Sequence, residues 1–185
     1  MNRKLPAIAT AIAIVCLTGC GGGGGGTSDS SSTPNGYWTM NAYRYVDGGY
    51  SAASTTTQGY TSAAVSTATL TTNDLSNGAY SGSVVSFLFL GTAPGVYTLV
   101  PDQATLINTP AAANPMVVQI VVGAAVTTGS TQYTAASGQV TVSLDVAGKY
   151  HFTSIGALPM TKTLDVKGGV VGAPATMSLT VFDAD

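Results

Sequence analysis

Alternation of apolar and polar residues over short segments is the feature that most restricts the folds open to this chain of 185 residues. In residues 139–146, QVTVSLDV, every second residue is valine or leucine, which predicts a half-buried β-strand with those side chains facing a core. Residues 176–182, TMSLTVF, repeat the pattern. The side chains predicted to face inward are Val140, Val142, Leu144, Val146, Met177, Leu179 and Val181.

Other segments after Tyr37 extend the β pattern and leave little room for helix. Residues 84–90 and 116–122 are apolar on both faces, which predicts central strands covered on both sides. Glutamate is absent, while threonine, serine, valine and glycine are abundant, so helices are disfavoured apart from one turn at 102–107. The sequence therefore predicts an all-β fold. The architecture expected is an antiparallel β-sandwich or small barrel of about eight to ten strands, with little or no helix outside the first 19 residues.

The first 20 residues have the pattern of an export signal that ends at a cysteine. Arg3 and Lys4 precede an apolar run at 5–17, and the run closes on Leu17-Thr18-Gly19-Cys20. This ending resembles the lipobox of bacterial lipoproteins. The resemblance implies cleavage between Gly19 and Cys20 and covalent attachment of lipid to Cys20. An uncleaved anchor is the alternative, but the 13 apolar residues are fewer than the roughly 20 that a spanning helix needs.

The segment that follows the cysteine predicts a flexible tether. Six glycines are followed by a stretch rich in serine and threonine that ends at Gly36, and a chain of this composition has a root-mean-square reach of roughly 20–24 Å. The glycine run follows no strand and has no GK[ST] ending, so it does not match a phosphate-binding loop. The predicted divisions are a lipoprotein signal peptide at 1–19, the lipidated cysteine and tether at 20–36, and a single β-sandwich-like domain at 37–185.

The charge and the cysteines of the chain after residue 19 exclude several classes of function. Four basic side chains stand against eight aspartates, a net side-chain charge of −4, so no dense basic patch is available for nucleic acid or for anionic headgroups. Cys16 lies in the predicted signal and Cys20 is the predicted lipid site, which leaves the domain without a disulfide or a cysteine metal ligand. The domain must therefore be stabilised by its hydrophobic core.

A second resemblance concerns residues ~80–182. The segments GVYTL at 95–99, SGQVTV at 137–142 and GKYHFT at 148–153 have a strand rhythm that is similar to that of small β-sandwich lipoproteins of uncharacterised function. These motifs are short and common in β-proteins. The resemblance implies a fold and transfers no catalytic residue to this chain.

The side chains that could perform catalysis or bind a metal are few. His151 is the only histidine, and without a G-x-S-x-G motif it is predicted to be an outward or edge residue of a strand rather than a catalytic base. Asp145, Asp165, Asp183 and Asp185 form no calcium-loop motif and are predicted to be solvated at strand ends or on strands. We therefore predict no catalytic residue, no metal and no cofactor other than the covalent lipid.

Aromatic side chains concentrate near the start of the predicted domain. On a continuous strand, Trp38 and Met40 would face the core, while Tyr37, Tyr43 and Tyr45 would share the other face and offer a binding surface for a sugar or a protein. The alternative, which we favour, is cross-strand aromatic packing that stabilises the fold. The full cluster comprises Tyr37, Trp38, Tyr43, Tyr45, Tyr50 and Tyr60.

Together these features predict a lipid-anchored, non-enzymatic lipoprotein of the bacterial cell envelope that acts as a binding or structural module. By the same resemblance, the glycine at position 21, where an aspartate would retain a lipoprotein at the inner membrane, implies the outer membrane, on its periplasmic face or the cell surface. Its partners would be the membrane, through the anchor, and an envelope protein or a glycan, but not nucleic acid. The alternatives are a carbohydrate-binding or adhesin-like module and an envelope hydrolase.

Overall fold

The computed structural model describes residues 36–55, 59–67, 77–123 and 129–185. These residues contain one six-residue helix, α1 (Gln103–Asn108), and two short 3₁₀ turns at Gly78–Tyr80 and Ala111–Ala113. They also form twelve strands: β1 (Tyr37–Met40), β2 (Tyr43–Val46), β3 (Gly49–Thr55), β4 (Tyr60–Ser66), β5 (Ser83–Leu90), β6 (Gly95–Leu99), β7 (Pro115–Val122), β8 (Ser130–Ala135), β9 (Gln139–Leu144), β10 (Tyr150–Ser154), β11 (Leu158–Val166) and β12 (Thr176–Phe182). The predicted all-β fold is confirmed, with more strands than the spacing of turns had indicated.

All twelve of these strands belong to one curled sheet that forms a half-barrel. The order is β10-β9-β6-β7-β8-β11-β12-β1-β2, and β5, β4 and β3 continue in that order from β7. Neighbouring strands are antiparallel except for β6 and β7, which are parallel. Beyond β12, the backbone groups of Ala184 and Phe152 exchange two hydrogen bonds of 3.0 and 2.9 Å. This bridge fastens β10 to the chain that follows β12.

The concave side of the half-barrel holds the hydrophobic core. Its largest side chains come from distant strands, and Phe87 of β5 stacks on Phe152 of β10 with ring centroids 3.8 Å apart. The indole of Trp38 donates a hydrogen bond of 2.9 Å to the hydroxyl of Ser83, so a buried polar atom is satisfied. Bulky core residues include Trp38, Met40, Tyr45, Phe87, Phe89, Met116, Ile120, Tyr133, Phe152, Leu158 and Met160.

The two alternating segments form the strands that their pattern predicts, with one difference in length. Residues 176–182 form β12 with their three apolar side chains buried, and Val140 and Val142 of β9 are also buried. The prediction is wrong for Leu144 and Val146, whose side chains are exposed. The reason is a turn, in which the Asp145 carboxylate accepts hydrogen bonds of 2.8 Å from the backbone N–H groups of Ala147 and Lys149.

The doubly apolar segments form β5 and β7, which adjoin each other in the middle of the sheet. On β5 only alternate side chains are fully buried, so the predicted cover on both faces is incomplete there. Burial of both faces is more nearly complete on β7, because α1 contacts this strand and both Val117 and Leu106 are buried. The helix forms where one turn was predicted, and the Asp102 side chain caps it by accepting a hydrogen bond from the Thr105 backbone N–H.

Candidate functional site

The three tyrosines predicted to form one exposed surface do not share a face. The chain reverses between β1 and β2 at Asn41, whose φ of 51° lies in the left-handed region that asparagine tolerates. Trp38 is consequently paired with Tyr45, and Met40 with Tyr43, and directly opposed residues of a sheet lie on the same face. The prediction of an exposed Tyr45 is therefore wrong, because Tyr45 is fully buried and its hydroxyl donates to the Tyr80 carbonyl at 2.9 Å.

Tyr43 also belongs to the inner face. It is half-buried, packs against the core and stacks on Tyr80 with a centroid distance of 4.2 Å. Cross-strand aromatic packing, the alternative weighed from the sequence, thus describes Tyr43 and Tyr45. The sequence prediction assumed one continuous strand and missed the two-residue turn at Asn41 and Ala42.

Tyr37 alone of the three lies on the outer face, in a short row of stacked side chains. The Arg44 guanidinium lies 3.8 Å from the centroid of the Tyr37 ring, and Phe182 of β12 stacks on Tyr37 at 5.1 Å. Phe182 is 44 % exposed, and Arg44 is also exposed. We call Arg44, Tyr37 and Phe182 the aromatic row. Of the three tyrosines of the predicted binding surface, only Tyr37 belongs to it.

A second group of polar side chains gathers at one end of the half-barrel from segments far apart in the sequence. Asp47 follows β2, Asp145 follows β9, and Asp183 and Asp185 follow β12. They surround the start of β10, where Lys149 directly precedes the strand and His151 is its second residue. This carboxylate cluster, defined as Asp47, Asp145, Asp183 and Asp185 with Lys149 and His151, brings together half of the eight aspartates of the chain.

His151 is the centre of one half of the carboxylate cluster. Its Nδ1 lies 3.1 Å from an oxygen of Asp183, and its Nε2 lies 3.9 Å from Asp145 and 3.8 Å from Asp185. Nε2 is shielded from solvent and has no hydrogen-bond partner within the described residues. The imidazole thus faces carboxylates, whereas a serine-type catalytic site needs a hydroxyl hydrogen-bonded to the ring.

Lys149, Asp185 and Asp47 form the other half. Lys149 Nζ forms an ion pair of 2.7 Å with Asp185 and lies 5.0 Å from the centroid of the Tyr50 ring. The backbone N–H of Asp185 donates to Asp47 Oδ2 at 2.8 Å, and the backbone N–H of Tyr150 donates to the Tyr50 hydroxyl at 3.1 Å. An open cavity of about 310 Å³ lies here and is lined by Asp47, Gly48, Gly49, Tyr50, Lys149 and Asp185.

The pKa values of the two carboxyl groups of this half, Asp47 and Asp185, are shifted in opposite directions. Burial and a hydrogen bond with the Asp185 side chain raise the pKa of Asp47 from 3.8 to about 7. Burial opposes ionisation of Asp185 as well, but its hydrogen bonds with Lys149 and Asp47 lower its pKa below the ordinary value. Below about pH 7 Asp47 therefore keeps its proton, while Asp185 is ionised beside Lys149.

We predict that Asp47→Asn removes a pH dependence of stability between about pH 4 and pH 7. In this window the folded wild-type protein keeps a proton on Asp47 that the unfolded chain has released, so its free energy of unfolding falls as pH rises. Asparagine mimics the protonated acid, since its amide can accept from the Asp185 backbone and donate to the Asp185 carboxylate. After allowance for solvent screening, the variant should be more stable than wild type by about 1–2 kcal/mol at pH 8.

Urea unfolding of the full chain at several pH values checks this prediction. Asp102→Asn is the matched control, because Asp102 is exposed and its pKa is lowered by hydrogen bonds from the Thr105 backbone and side chain. This control should leave the slope between pH 4 and pH 7 unchanged. An Asp47→Asn variant whose stability follows the wild-type curve across that range would contradict the retention of a proton on Asp47.

The remaining sequence predictions for polar residues have mixed outcomes. His151 lies on β10, a terminal strand of the sheet, as predicted for an edge residue, and it is half-buried among carboxylates. Asp145 lies in a turn rather than on a strand, whereas Asp165 lies on β11 and accepts a hydrogen bond of 2.8 Å from Thr131. Across the described ranges, no group of three or more histidine, cysteine or acidic side chains is arranged to hold a metal ion. The predicted cleavage and lipid sites, Gly19 and Cys20, lie outside the described residues.

Comparisons with known proteins add no functional information. The chain matches no protein-family model, no curated protein and no solved structure. A search of the described residues for helices long and apolar enough to cross a bilayer identified none. Proposals about function therefore depend on the N-terminal motif and on the geometry given above.

Proposed function

We propose that this protein is a lipid-anchored lipoprotein of the bacterial cell envelope whose β-domain is a non-enzymatic binding or structural module. The observation that carries the proposal is Leu17-Thr18-Gly19-Cys20 at the end of a basic and then apolar segment. Cys20 would be the acylated first residue of the mature protein. The outer membrane, on the periplasmic face or the cell surface, is the proposed location because glycine rather than aspartate follows the cysteine.

The architecture after residue 36 is compatible with this role. A domain that works at the end of a tether must fold through its own contacts, and the described strands bury a continuous aromatic and aliphatic core. Both cysteines of the chain precede Gly36, so this core needs no disulfide. A Gly/Ser-rich spacer of this length would hold the domain roughly 20–24 Å from the membrane.

Mass spectrometry of the protein purified from membranes tests the anchor directly. The expected product begins at Cys20, lacks residues 1–19 and carries acyl chains on its N-terminal peptide. An intact N-terminus starting at Met1, or a Cys20 peptide without added lipid, would overturn the proposal.

A second candidate function, carbohydrate binding, is favoured by the aromatic row. A sugar ring could pack against the exposed Phe182 side chain, which the half-buried Tyr37 supports by stacking, with Arg44 as a hydrogen-bond donor beside them. Glycan-array binding by the wild-type domain should then be lost in Tyr37→Ala and retained in Thr161→Ala, an exposed position on β11 away from the row. An array on which the wild-type protein binds no glycan would remove this candidate.

A further inference from the structure

The sheet branches at β7 and has three terminal strands, β2, β10 and β3, whose outer edges differ. Residues 77–80 lie against β2: the Asn77 amide donates to the Arg44 carbonyl at 2.9 Å, and Tyr80 stacks on Tyr43. On β10, the backbone groups of Phe152 are bonded to those of Ala184, in the chain that follows β12. By contrast, β3 pairs with β4 and has no second strand partner within the described residues. Other parts of the chain thus contact the outer edges of β2 and β10, whereas the described residues leave backbone groups of β3 unpaired.

The bare edge has none of the features that usually prevent strands from pairing with other chains. All seven residues of β3 pair with β4 in continuous register, so there is no bulge to twist the edge away. Neither Gly49–Thr55 nor Tyr60–Ser66 contains a charged residue or a proline. Four consecutive β3 side chains are exposed, namely Ser51, Ala52, Ala53 and Ser54. Among the described residues, none therefore covers the central four residues of β3 from the side or from either face.

We propose that β3 is an interaction surface on which a second copy of this chain adds its own β3, extending the sheet across a closed two-fold dimer. A head-to-tail contact would require the β2 or the β10 edge of the second copy; residues 77–80 lie against the first, and the chain after β12 is bridged to the second. Self-pairing of β3 uses one identical surface on both copies and leaves no further edge to extend.

The sequence of β3 suits this symmetric pairing. A two-fold axis perpendicular to the sheet sets one residue opposite its own copy, and centring it on Ala52 aligns all seven residues of both strands. Ala52 then faces Ala52, Ser51 faces Ala53, and Tyr50 faces Ser54, so that each of these pairs contains at least one small side chain and no like charges meet. The uncharged hairpin also lets two chains of the same net charge approach.

Sedimentation of the full-length protein in detergent, with Ala52→Lys as the variant, tests the proposal. The wild-type protein should form dimers at micromolar concentration. Ala52→Lys would place two ammonium groups opposite each other at the centre of the interface and should raise the dimer dissociation constant by about tenfold or more. Thr161→Lys adds the same charge at an exposed position of β11, which is paired on both sides, and should leave dimerisation unchanged.

Disulfide trapping distinguishes this surface from other contacts. Ala52→Cys should give a covalent dimer on mild oxidation, whereas Thr161→Cys and the wild-type protein should remain uncrosslinked. A monomeric wild-type protein, or an Ala52→Lys variant that dimerises as tightly as wild type, would overturn the proposal. A crosslinked wild-type protein would instead show that Cys16 or Cys20 is present as a free thiol, which counts against the lipid anchor and not against β3.

Discussion

Cys20→Ser should abolish the mature, lipid-bearing form of the protein. A serine cannot form the thioether through which the proposed lipid is attached, and the resemblance to the lipobox implies that cleavage after Gly19 depends on that step. Each buried CH₂ of an acyl chain contributes about 0.8 kcal/mol to membrane binding, so losing two or three chains removes essentially all of the anchoring. Detergent-phase partitioning and intact mass should show the wild-type form falling to an undetectable level.

Cys16→Ser provides the control, because it makes the same chemical change within the apolar segment that cleavage would remove. This variant should yield a mature protein of unchanged mass and unchanged membrane retention. If Cys20→Ser is still cut before residue 20 and still enters the detergent phase, the lipobox interpretation is incorrect. If Cys16→Ser alone changes the mass of the mature protein, residues 1–19 are not removed.

Strand interiors were predictable from this sequence because their signal is local. In β12, each buried side chain is two residues from the next, so seven residues are enough to define the inner face. The same holds for Val140 and Val142 of β9. Val146 is exposed although the alternation in the sequence continues to it. The strand ends before Val146 because the Asp145 carboxylate accepts hydrogen bonds from backbone N–H groups of the following turn.

The faces of the tyrosines were not predictable from alternation alone. A reversal at residues 41–42 exchanges the face on which odd-numbered residues lie, so Tyr43 and Tyr45 join Trp38 rather than Tyr37. The carboxylate cluster was not predictable for a different reason. Asp47 and Asp185 are 138 positions apart, and the pairing of β1 with both β2 and β12 brings them together. Local sequence patterns do not indicate a contact between residues so far apart in the chain.

Phe152→Ala should cause the largest loss of stability of any single change considered for the described domain. Phe152 is fully buried, its ring lies within 2° of parallel to that of Phe87, and its edge contacts Phe89 at a centroid distance of 6.2 Å. Removing such a ring from a packed core costs about 3–5 kcal/mol through lost burial and the cavity left behind. For a domain of this size, this corresponds to a fall in Tm of roughly 10 °C.

Phe182→Ala is the matched control, since it removes the same side chain from a neighbouring strand where 44 % of it is exposed. Its cost should stay below about 1 kcal/mol, because much of the ring is already in water. Thermal and urea unfolding of both variants measure the difference. The two backbone hydrogen bonds between Phe152 and Ala184 do not involve the ring and persist in the alanine variant. Equal losses in the two variants would therefore contradict the expectation that packing of the Phe152 ring against Phe87 stabilises the domain.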